Sequence, residues 1–230
     1  MEVQAPWAGH QRWQVLVTAF DQGQDFLRTW QAWRDDPLRP HQLFFTALVT
    51  PDEAVEAAAG APDSGHLGSD NHNFGPSHPL TQALLEQCQG LLPGTHRLVF
   101  EAGQVQLTLC VGCVNEVLPT LDSVVDQVLL APPTNNTVWD GRLIKSLGRL
   151  CRHGTQLCAA TGGAAADAAL RASLVSAGFV LERPQPASDN FAVLARYAPH
   201  WPLRHAHRAA RVDGPGRVVV VGAGLAGSAV

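Results

Sequence analysis

Hydrophobic and polar positions along the chain form short blocks of two kinds that alternate. Gln14–Phe20 ("QVLVTAF") and Gln42–Val49 ("QLFFTALV") are nearly continuous apolar runs, which predicts two buried strands. Between them, Gly23–Trp33 carries its large apolar residues at helical spacing. Residues 51–60 begin with proline and acidic residues and end with glycine, and these are the start and stop signals of a second helix.

The alternation resumes after a polar stretch. Residues 61–79 are rich in Gly, Pro, Ser and Asp and lack an apolar period, which predicts a long surface loop. The blocks that follow are typical of strands and helices in turn. The predicted elements are a short helix within 80–94, a hairpin over 96–112, a strand at 123–132, a helix at 138–154, a strand at 155–162, a helix at 164–178 and strands at 179–184 and 191–197.

Strands that alternate with helices indicate right-handed crossovers and a parallel sheet covered on both faces. The pattern therefore predicts an α/β fold with a mostly parallel, seven-stranded sheet that ends in a close antiparallel pair. This is the layout of a Rossmann-like, S-adenosylmethionine-dependent methyltransferase domain, which we assign to residues 1–197. Residues 198–216 are rich in Pro, His and Arg without a period and are expected to form a linker.

A glycine motif stands at the end of the sequence, in residues 217–230 ("RVVVVGAGLAGSAV"). Four valines run into G-x-G-x-x-G at Gly222, Gly224 and Gly227, which allow a tight turn, close approach to a pyrophosphate, and helix–strand packing. This predicts the start of an FAD-type dinucleotide-binding domain. The acidic ribose ligand is expected about 20 residues further on. We therefore expect this chain to be the front of a longer protein and not to bind FAD or NAD alone.

Composition narrows the possible classes of protein. The chain has 230 residues, of which 46% are hydrophobic and 16% charged, as expected for one globular domain with an appendage. Its net charge of −4 gives no support to a protein held mainly by nucleic-acid phosphates. It shows neither an apolar run of about 18 residues nor a secretory signal, so the expected location is the cytoplasm.

Cysteines and histidines give little indication of a metal site. The five cysteines include a CxxC at Cys110 and Cys113, but the first lies in a strand-like run and no second CxxC follows. Buried or incidental thiols are therefore favoured over a zinc or redox site. In the polar loop, His66, His72 and His78 recur every six residues, which suits neither a helix face nor a compact ligand set. No metal site is predicted.

Four stretches in this order carry a resemblance to a known family: "DFLRTWQAWRDDP", "LLPGTHRLVFEAGQVQLTL", "VDQVLL" before a helix-opening Trp, and "RVVVVGAGLAG". Over residues 7–230 the chain resembles the bifunctional enzymes that complete 5-methylaminomethyl-2-thiouridine at the tRNA wobble position. The resemblance implies an N-terminal half that transfers a methyl group from S-adenosylmethionine to an amine. It also implies a C-terminal, FAD-dependent oxidoreductase half that first removes a carboxymethyl group.

The resemblance implies tRNA as a partner and gives the linker a second interpretation. The strip "RHAHRAAR" contains Arg204, Arg208 and Arg211. It is either a solvated linker, which we favour, or a strip that contacts tRNA phosphates.

The cofactor loop departs from the family pattern, which reads roughly E-x-G-F-G-T-G-x-N-F-L. The positions that differ are Val17, Ala19, Asp21, Gln22 and Asp25. Gly23 and Asp25 are what remains of the S-adenosylmethionine loop. Glycine supplies the backbone freedom that such a loop needs, and a carboxylate at Asp21 would repel the methionine carboxylate.

Three further strand ends lack the groups that the resemblance implies. Leu48 stands where an acid would bind the ribose hydroxyls, and Cys113 follows Gly112 where the family has G-D for the adenine. Ala131 stands where an Asp would lie beside the reacting amine. We therefore predict a retained fold with a degenerate methyltransferase site and no identifiable catalytic residue.

Other interpretations stay open. The cleft could be rebuilt for another ligand, lined by Asp21, Asp25, Asp126 and Asn135, although ordinary polar loop chemistry is the simpler account of these residues. The domain could be an active methyltransferase with an atypical loop. It could also be a non-catalytic scaffold or tRNA-docking module, or a fragment without a role of its own.

Overall fold

A computed structural model describes residues 6–54, 74–75, 77–132, 138–160, 162–182 and 191–202. These ranges contain eight strands, five α-helices and a helical turn at residues 51–54. The strands are β1 (Arg12–Val17), β2 (Gln42–Val49), β3 (Gly94–Phe100), β4 (Val105–Val111), β5 (Val125–Leu130), β6 (Cys151–Ala160), β7 (Phe179–Glu182) and β8 (Phe191–Tyr197). The helices are α1 (Gln24–Asp35), α2 (Pro79–Gln87), α3 (Val114–Val117), α4 (Gly141–Leu150) and α5 (Ala164–Ser176).

The strands form one sheet in the order β3-β4-β2-β1-β5-β6-β8-β7. The five central strands are parallel, whereas β3 and β8 each run antiparallel to their neighbours. The predicted α/β class and its closing antiparallel pair are confirmed. The sheet has eight strands instead of seven because β3 joins it as an edge strand beside β4. The chain order reverses between β1 and β5, which makes the space beyond their carboxyl ends the topological switch point.

One face of the sheet is covered by α1 and α2. Phe26, Trp30 and Trp33 of α1 are buried there, each at most 3% exposed. The Phe26 ring lies 5.4 Å from that of Phe45, and the Trp30 ring lies 4.6 Å from that of Phe100, measured between centroids. Burial of aromatic side chains of this size supplies about 1.5–3 kcal/mol each and fixes α1 directly after the β1 loop.

The other face packs against α3, α4 and α5. Ile144 and Leu147 of α4, with Leu174 of α5, are fully buried in a second cluster that includes Leu16 and Leu157 of the sheet. Helices on both faces match the predicted architecture. Within the described ranges, no helix has both the length and the apolar content required to cross a membrane.

The helix predicted at 138–154 was wrong at its C-terminal end. Helix α4 begins after Asp140, whose side chain accepts bonds from two backbone N–H groups, and ends at Leu150. Strand β6 starts at Cys151, so Gly154 (φ +89°) lies within the strand and does not end a helix.

A β-bulge explains the early start of β6. Val125 of β5 pairs with Cys151, but Gln127 pairs with Gln156, so β6 carries three extra residues between these two pairs. The Thr155 hydroxyl donates to the Val125 carbonyl at 2.7 Å and accepts from the Arg152 N–H at 3.0 Å. Long-range bonds to β5 therefore override the local helical pattern.

Candidate cofactor cleft

Hydrogen bonds join the residues that follow the carboxyl ends of β1 and β5. The Thr18 N–H donates to the Leu129 carbonyl at 3.1 Å, and the buried Thr18 hydroxyl accepts from the Ala131 N–H at 2.9 Å. The predicted strand Gln14–Phe20 ends at Val17 because Thr18 turns to make these contacts. Hydrogen bonds between Thr18 and the end of β5 therefore connect the two strands at the switch point.

The loop after β1 holds three successive residues in the left-handed region of backbone conformation. The φ angles are 41° at Asp21, 53° at Gln22 and 81° at Gly23. The Gly23 N–H donates to the Phe20 carbonyl at 2.7 Å, which closes a 3₁₀ turn directly before α1. Left-handed backbone costs a residue with a side chain about 1–2 kcal/mol, so two of these three positions are strained.

Core side chains lie directly beneath this loop. Phe20 is 3% exposed, and Leu84 of α2 is 2% exposed. A Cβ atom on Gly23 would lie 2.6 Å from Leu84 Cδ2 and 3.3 Å from Phe20 Cζ. The retained Gly23 is therefore explained by packing against α2 as well as by its φ angle.

Carboxylates border the loop at the start of α1. Asp25 lies in the first turn of α1, 3.8 Å from the Arg28 guanidinium. Burial raises the pKa of the Asp25 carboxyl, and Asp21 adds to the rise, whereas Arg28 opposes it. A further anionic group here would meet the negative charge of two carboxylates, which solvent screens in part because the Asp25 side chain is 37% exposed.

The carboxyl end of β2 offers no free acid in the position that the resemblance implies. Leu48 is 1% exposed and packs in the core with Leu16 and Cys110. Next to it, the Glu53 carboxylate accepts from the Thr50 N–H at 2.7 Å and from the Thr50 hydroxyl at 2.9 Å. These bonds form a capping box. Its T-x-x-E pattern is present in the sequence, but we did not predict the contact from it.

The end of β4 shows why the CxxC does not form a compact site. Cys110 is buried in the strand, whereas Cys113 is exposed at the start of α3. All five cysteines lie in described ranges, and each is a free thiol. Among the described residues, no group of three or more His, Cys, Asp or Glu side chains could hold a metal ion.

We expect Cys113 to be the single reactive thiol of the native protein. Burial raises the pKa of the Cys110 and Cys151 thiols, and it raises those of Cys88 and Cys158 to about 11, so few thiolates form there near pH 8. Titration with a chromogenic disulfide reagent at pH 8 should give about one equivalent in the native state and five after denaturation. The Cys113→Ser variant should lose the native equivalent; retention of that equivalent would contradict the assignment.

The end of β5 is closed by an indole. Trp139 is 6% exposed, and its Nε1–H donates to the Ala131 carbonyl at 2.9 Å. Both backbone polar groups of Ala131 are therefore bonded, one to Thr18 and the other to Trp139. Neither contact has a local signature in the sequence, since 113 and 8 residues separate the partners.

Asp126 does not line this cleft, so the alternative of a rebuilt site that includes Asp126 is wrong in this respect. It is the second residue of β5, beside Gln14, and thus lies at the amino ends of the strands. Its carboxylate is 4% exposed, accepts from the Gln14 N–H at 2.9 Å, and forms an ion pair with Arg152 of the bulge. Asp126 is a buried structural group.

Several predicted residues lie outside the described ranges. They are Asn135, the linker arginines Arg204, Arg208 and Arg211, the motif glycines Gly222, Gly224 and Gly227, and the loop histidines His66 and His72. His78 is described, and its Nδ1 accepts from the Leu80 N–H at 3.2 Å as the N-cap of α2.

Comparisons with known proteins place the chain among methyltransferases. A family model described as S-adenosyl-L-methionine-dependent methyltransferase matches residues 76–195. The tRNA 5-methylaminomethyl-2-thiouridine biosynthesis bifunctional protein MnmC of Polaromonas naphthalenivorans (strain CJ2) is 36% identical over 97% of this chain and 34% of its own length. The protein of the same name from Acidovorax sp. (strain JS42) is 38% identical over the same shares.

The chain spans about a third of the length of these curated relatives. Both carry the name of the family that the four sequence stretches resemble, so this resemblance is confirmed. Among solved structures, an S-adenosylmethionine dependent methyltransferase from Mesorhizobium loti is 12% identical, with a TM-score of 0.41 over 84% of this chain and 93% of that chain.

Proposed function

Because the chain belongs to the family of S-adenosyl-L-methionine-dependent methyltransferases, we propose that it is the methyltransferase-like part of a bifunctional tRNA wobble-uridine modifier whose cofactor site is degenerate. The names and lengths of its relatives support the placement at the N-terminal end of a longer protein. FAD would belong to the second half, which would begin at Gly222, Gly224 and Gly227. A tRNA substrate would place the protein in the cytoplasm.

One observation carries the degenerate site: at the ends of β2 and β5, the implied cofactor group is replaced by one that is buried or already bonded. Leu48 is in the core, Glu53 caps a helix, and Ala131 has both its polar groups paired. At the β1 loop, Asp21 and Asp25 add negative charge where the methionine carboxylate would lie. Like charges a few ångströms apart repel, although solvent weakens the repulsion at exposed side chains.

A domain that keeps its fold without its site can still serve as a scaffold. In this proposal the domain docks tRNA or the oxidoreductase half, and any chemistry occurs in that second half. The arginines Arg204, Arg208 and Arg211 are the candidate phosphate contacts of the linker, since guanidinium groups suit phosphate oxygens.

Calorimetric titration of S-adenosylmethionine into the purified 230-residue chain, up to millimolar concentration, tests the degenerate site. We expect no saturable heat from a sample that unfolds cooperatively, because the strand ends supply neither the carboxylate for the ribose nor a carboxylate-free loop. Cooperative unfolding of the same batch is the control for folding. A micromolar dissociation constant would contradict the proposal.

An active enzyme with an atypical loop is the second candidate. It is favoured by one observation, namely that Asp21, Gln22 and Gly23 keep a left-handed backbone that suits a glycine loop. Methyl transfer to an amine needs mainly proximity and a proton acceptor. The same titration separates the two candidates, since this one requires saturable binding.

A further inference from the structure

A second concave site lies at the opposite end of the sheet from the cofactor cleft. It has a volume of about 300 Å³ and opens where β1, β2 and β4 begin. Residues from three segments line it: His10 and Gln11 before β1, Arg39 and His41 in the α1–β2 connection, and Gln104 before β4. The indole of Trp33 also contributes to its wall.

Arg39 is held in place within this pocket. Its guanidinium carbon lies 4.4 Å from the centroid of the Trp33 ring, and its Nη1 donates to the Arg34 carbonyl at 2.9 Å. The Trp33 Nε1–H in turn donates to the Pro40 carbonyl at 2.8 Å. A guanidinium has five N–H donors, so this bond leaves several for a ligand in a geometry that is already fixed.

The polar lining of the pocket consists of hydrogen-bond donors or groups that can donate. Among the residues that line it, all of them described, there is no carboxylate. The side-chain amides of Gln11 and Gln104 and the imidazoles of His10 and His41 join the Arg39 guanidinium.

Two acidic side chains in the segments that border the pocket have partners of their own. The Asp36 carboxylate accepts from the Trp7 Nε1–H and the Leu38 N–H, both at 2.7 Å. The Glu101 carboxylate accepts from the Trp30 Nε1–H at 3.0 Å and lies 3.5 Å from the Arg34 Nε. Glu101 is paired with Arg34, and Asp36 is bound by neutral N–H donors, so neither carboxylate occupies the Arg39 guanidinium.

We propose that this pocket binds a phosphate group, with the Arg39 guanidinium as its principal contact and the imidazoles and amides of the lining as further donors. Planar guanidinium groups bind phosphate oxygens through parallel N–H donors, and a fixed guanidinium loses less conformational entropy on binding. The phosphate can come from an RNA backbone or from a small phosphate ester. The site does not depend on the proposed function, because it requires neither tRNA nor a methyl donor.

Arg39 also has a structural role, since its guanidinium donates a hydrogen bond to the Arg34 carbonyl in the last turn of α1. The Arg39→Gln variant removes the charge but has a shorter side chain, so its thermal unfolding is compared with that of the wild type to measure any structural cost. Arg142→Gln is the matched control, since Arg142 is an exposed arginine of α4 on another part of the surface.

The experiment uses the full chain and two probes. Inorganic phosphate is titrated while the side-chain signals of Arg39, Trp33 and Gln104 are followed by NMR, and a single-stranded RNA of about 12 nucleotides is titrated at several salt concentrations. We expect saturable shifts confined to the pocket, and an RNA affinity about tenfold weaker in Arg39→Gln with a salt slope reduced by about one. Arg142→Gln should behave as the wild type.

The outcomes separate the two sources of phosphate. Loss of both phosphate and RNA binding in Arg39→Gln assigns the pocket to an RNA backbone. Loss of phosphate binding with unchanged RNA affinity assigns it to a small phosphate ester. Phosphate shifts spread over the surface, or equal behaviour of Arg39→Gln and Arg142→Gln towards both probes, would overturn the proposal.

Discussion

Replacing Arg152 by methionine is expected to lower the free energy of unfolding by about 3–5 kcal/mol, as breaking a buried ion pair typically does. The Asp126 carboxylate is 4% exposed and would lose the guanidinium that faces it from the β6 bulge. The Gln14 N–H would still donate to it but cannot neutralise its charge. Urea unfolding monitored by tryptophan fluorescence measures the loss.

An exposed ion pair provides the control for this prediction. Arg196 and Glu182 are also in contact, at 2.8 Å, but their side chains are 53% and 40% exposed. Arg196→Met should therefore change the stability by less than about 1 kcal/mol. Combining Arg152→Met with Asp126→Asn should recover much of the loss, because no buried charge is then left alone. Similar losses in Arg152→Met and Arg196→Met would show that burial does not set the strength of the pair.

Replacing Gly23 by alanine is expected to cost about 2–4 kcal/mol. The φ angle of 81° accounts for about 1–2 kcal/mol, because left-handed backbone disfavours a Cβ atom. The remainder comes from overpacking, since the new methyl group would lie 2.6 Å from Leu84 Cδ2 in a buried site. Thermal unfolding followed by circular dichroism measures the change.

Gly103 separates the two contributions. It has a φ of 93°, but a Cβ atom there would meet nothing within 4 Å. Gly103→Ala should therefore report the backbone cost alone, about 1–2 kcal/mol. The excess cost of Gly23→Ala measures how tightly the β1 loop presses on α2. Equal costs for the two variants would mean that Leu84 moves aside freely.

The layered fold was readable from the sequence because the first two central strands lie in nearly continuous apolar runs, Gln14–Phe20 and Gln42–Val49. Strand β2 has the predicted bounds Gln42–Val49, and α1 differs from its prediction by one residue at its start and two at its end. A strand buried on both faces needs apolar residues at every position, and few other structures produce that pattern.

The amino end of β6 and the place of Asp126 could not be read in this way. The residues before Gly154 continue a helical pattern, and only bonds to β5, some 30 residues away, turn them into a strand. Asp126 in an apolar run has the same local signature whether it faces the cleft or an arginine. Periodicity carries no information about which strand end a polar residue will meet.

Contacts within the cleft are likewise of two kinds, local contacts that have a sequence signature and long-range contacts that do not. The Thr50–Glu53 capping box is local and had a sequence signature. The bond from Ala131 to Thr18 crosses between strands and had none. The sequence therefore supported a prediction of which strand ends lack polar cofactor groups, but it carried no information on the contacts that those residues make.

Asp21 and Gln22 have a left-handed backbone that glycine would adopt without strain. This conformation is unfavourable for the residues at these positions. We infer that the packed core below the loop holds it in place. A glycine at either position would relieve about 1–2 kcal/mol of strain and lose about 0.5–1 kcal/mol of chain entropy. Such a substitution therefore stabilises the loop without moving its backbone, so the conformation of this loop can be separated from its amino-acid composition.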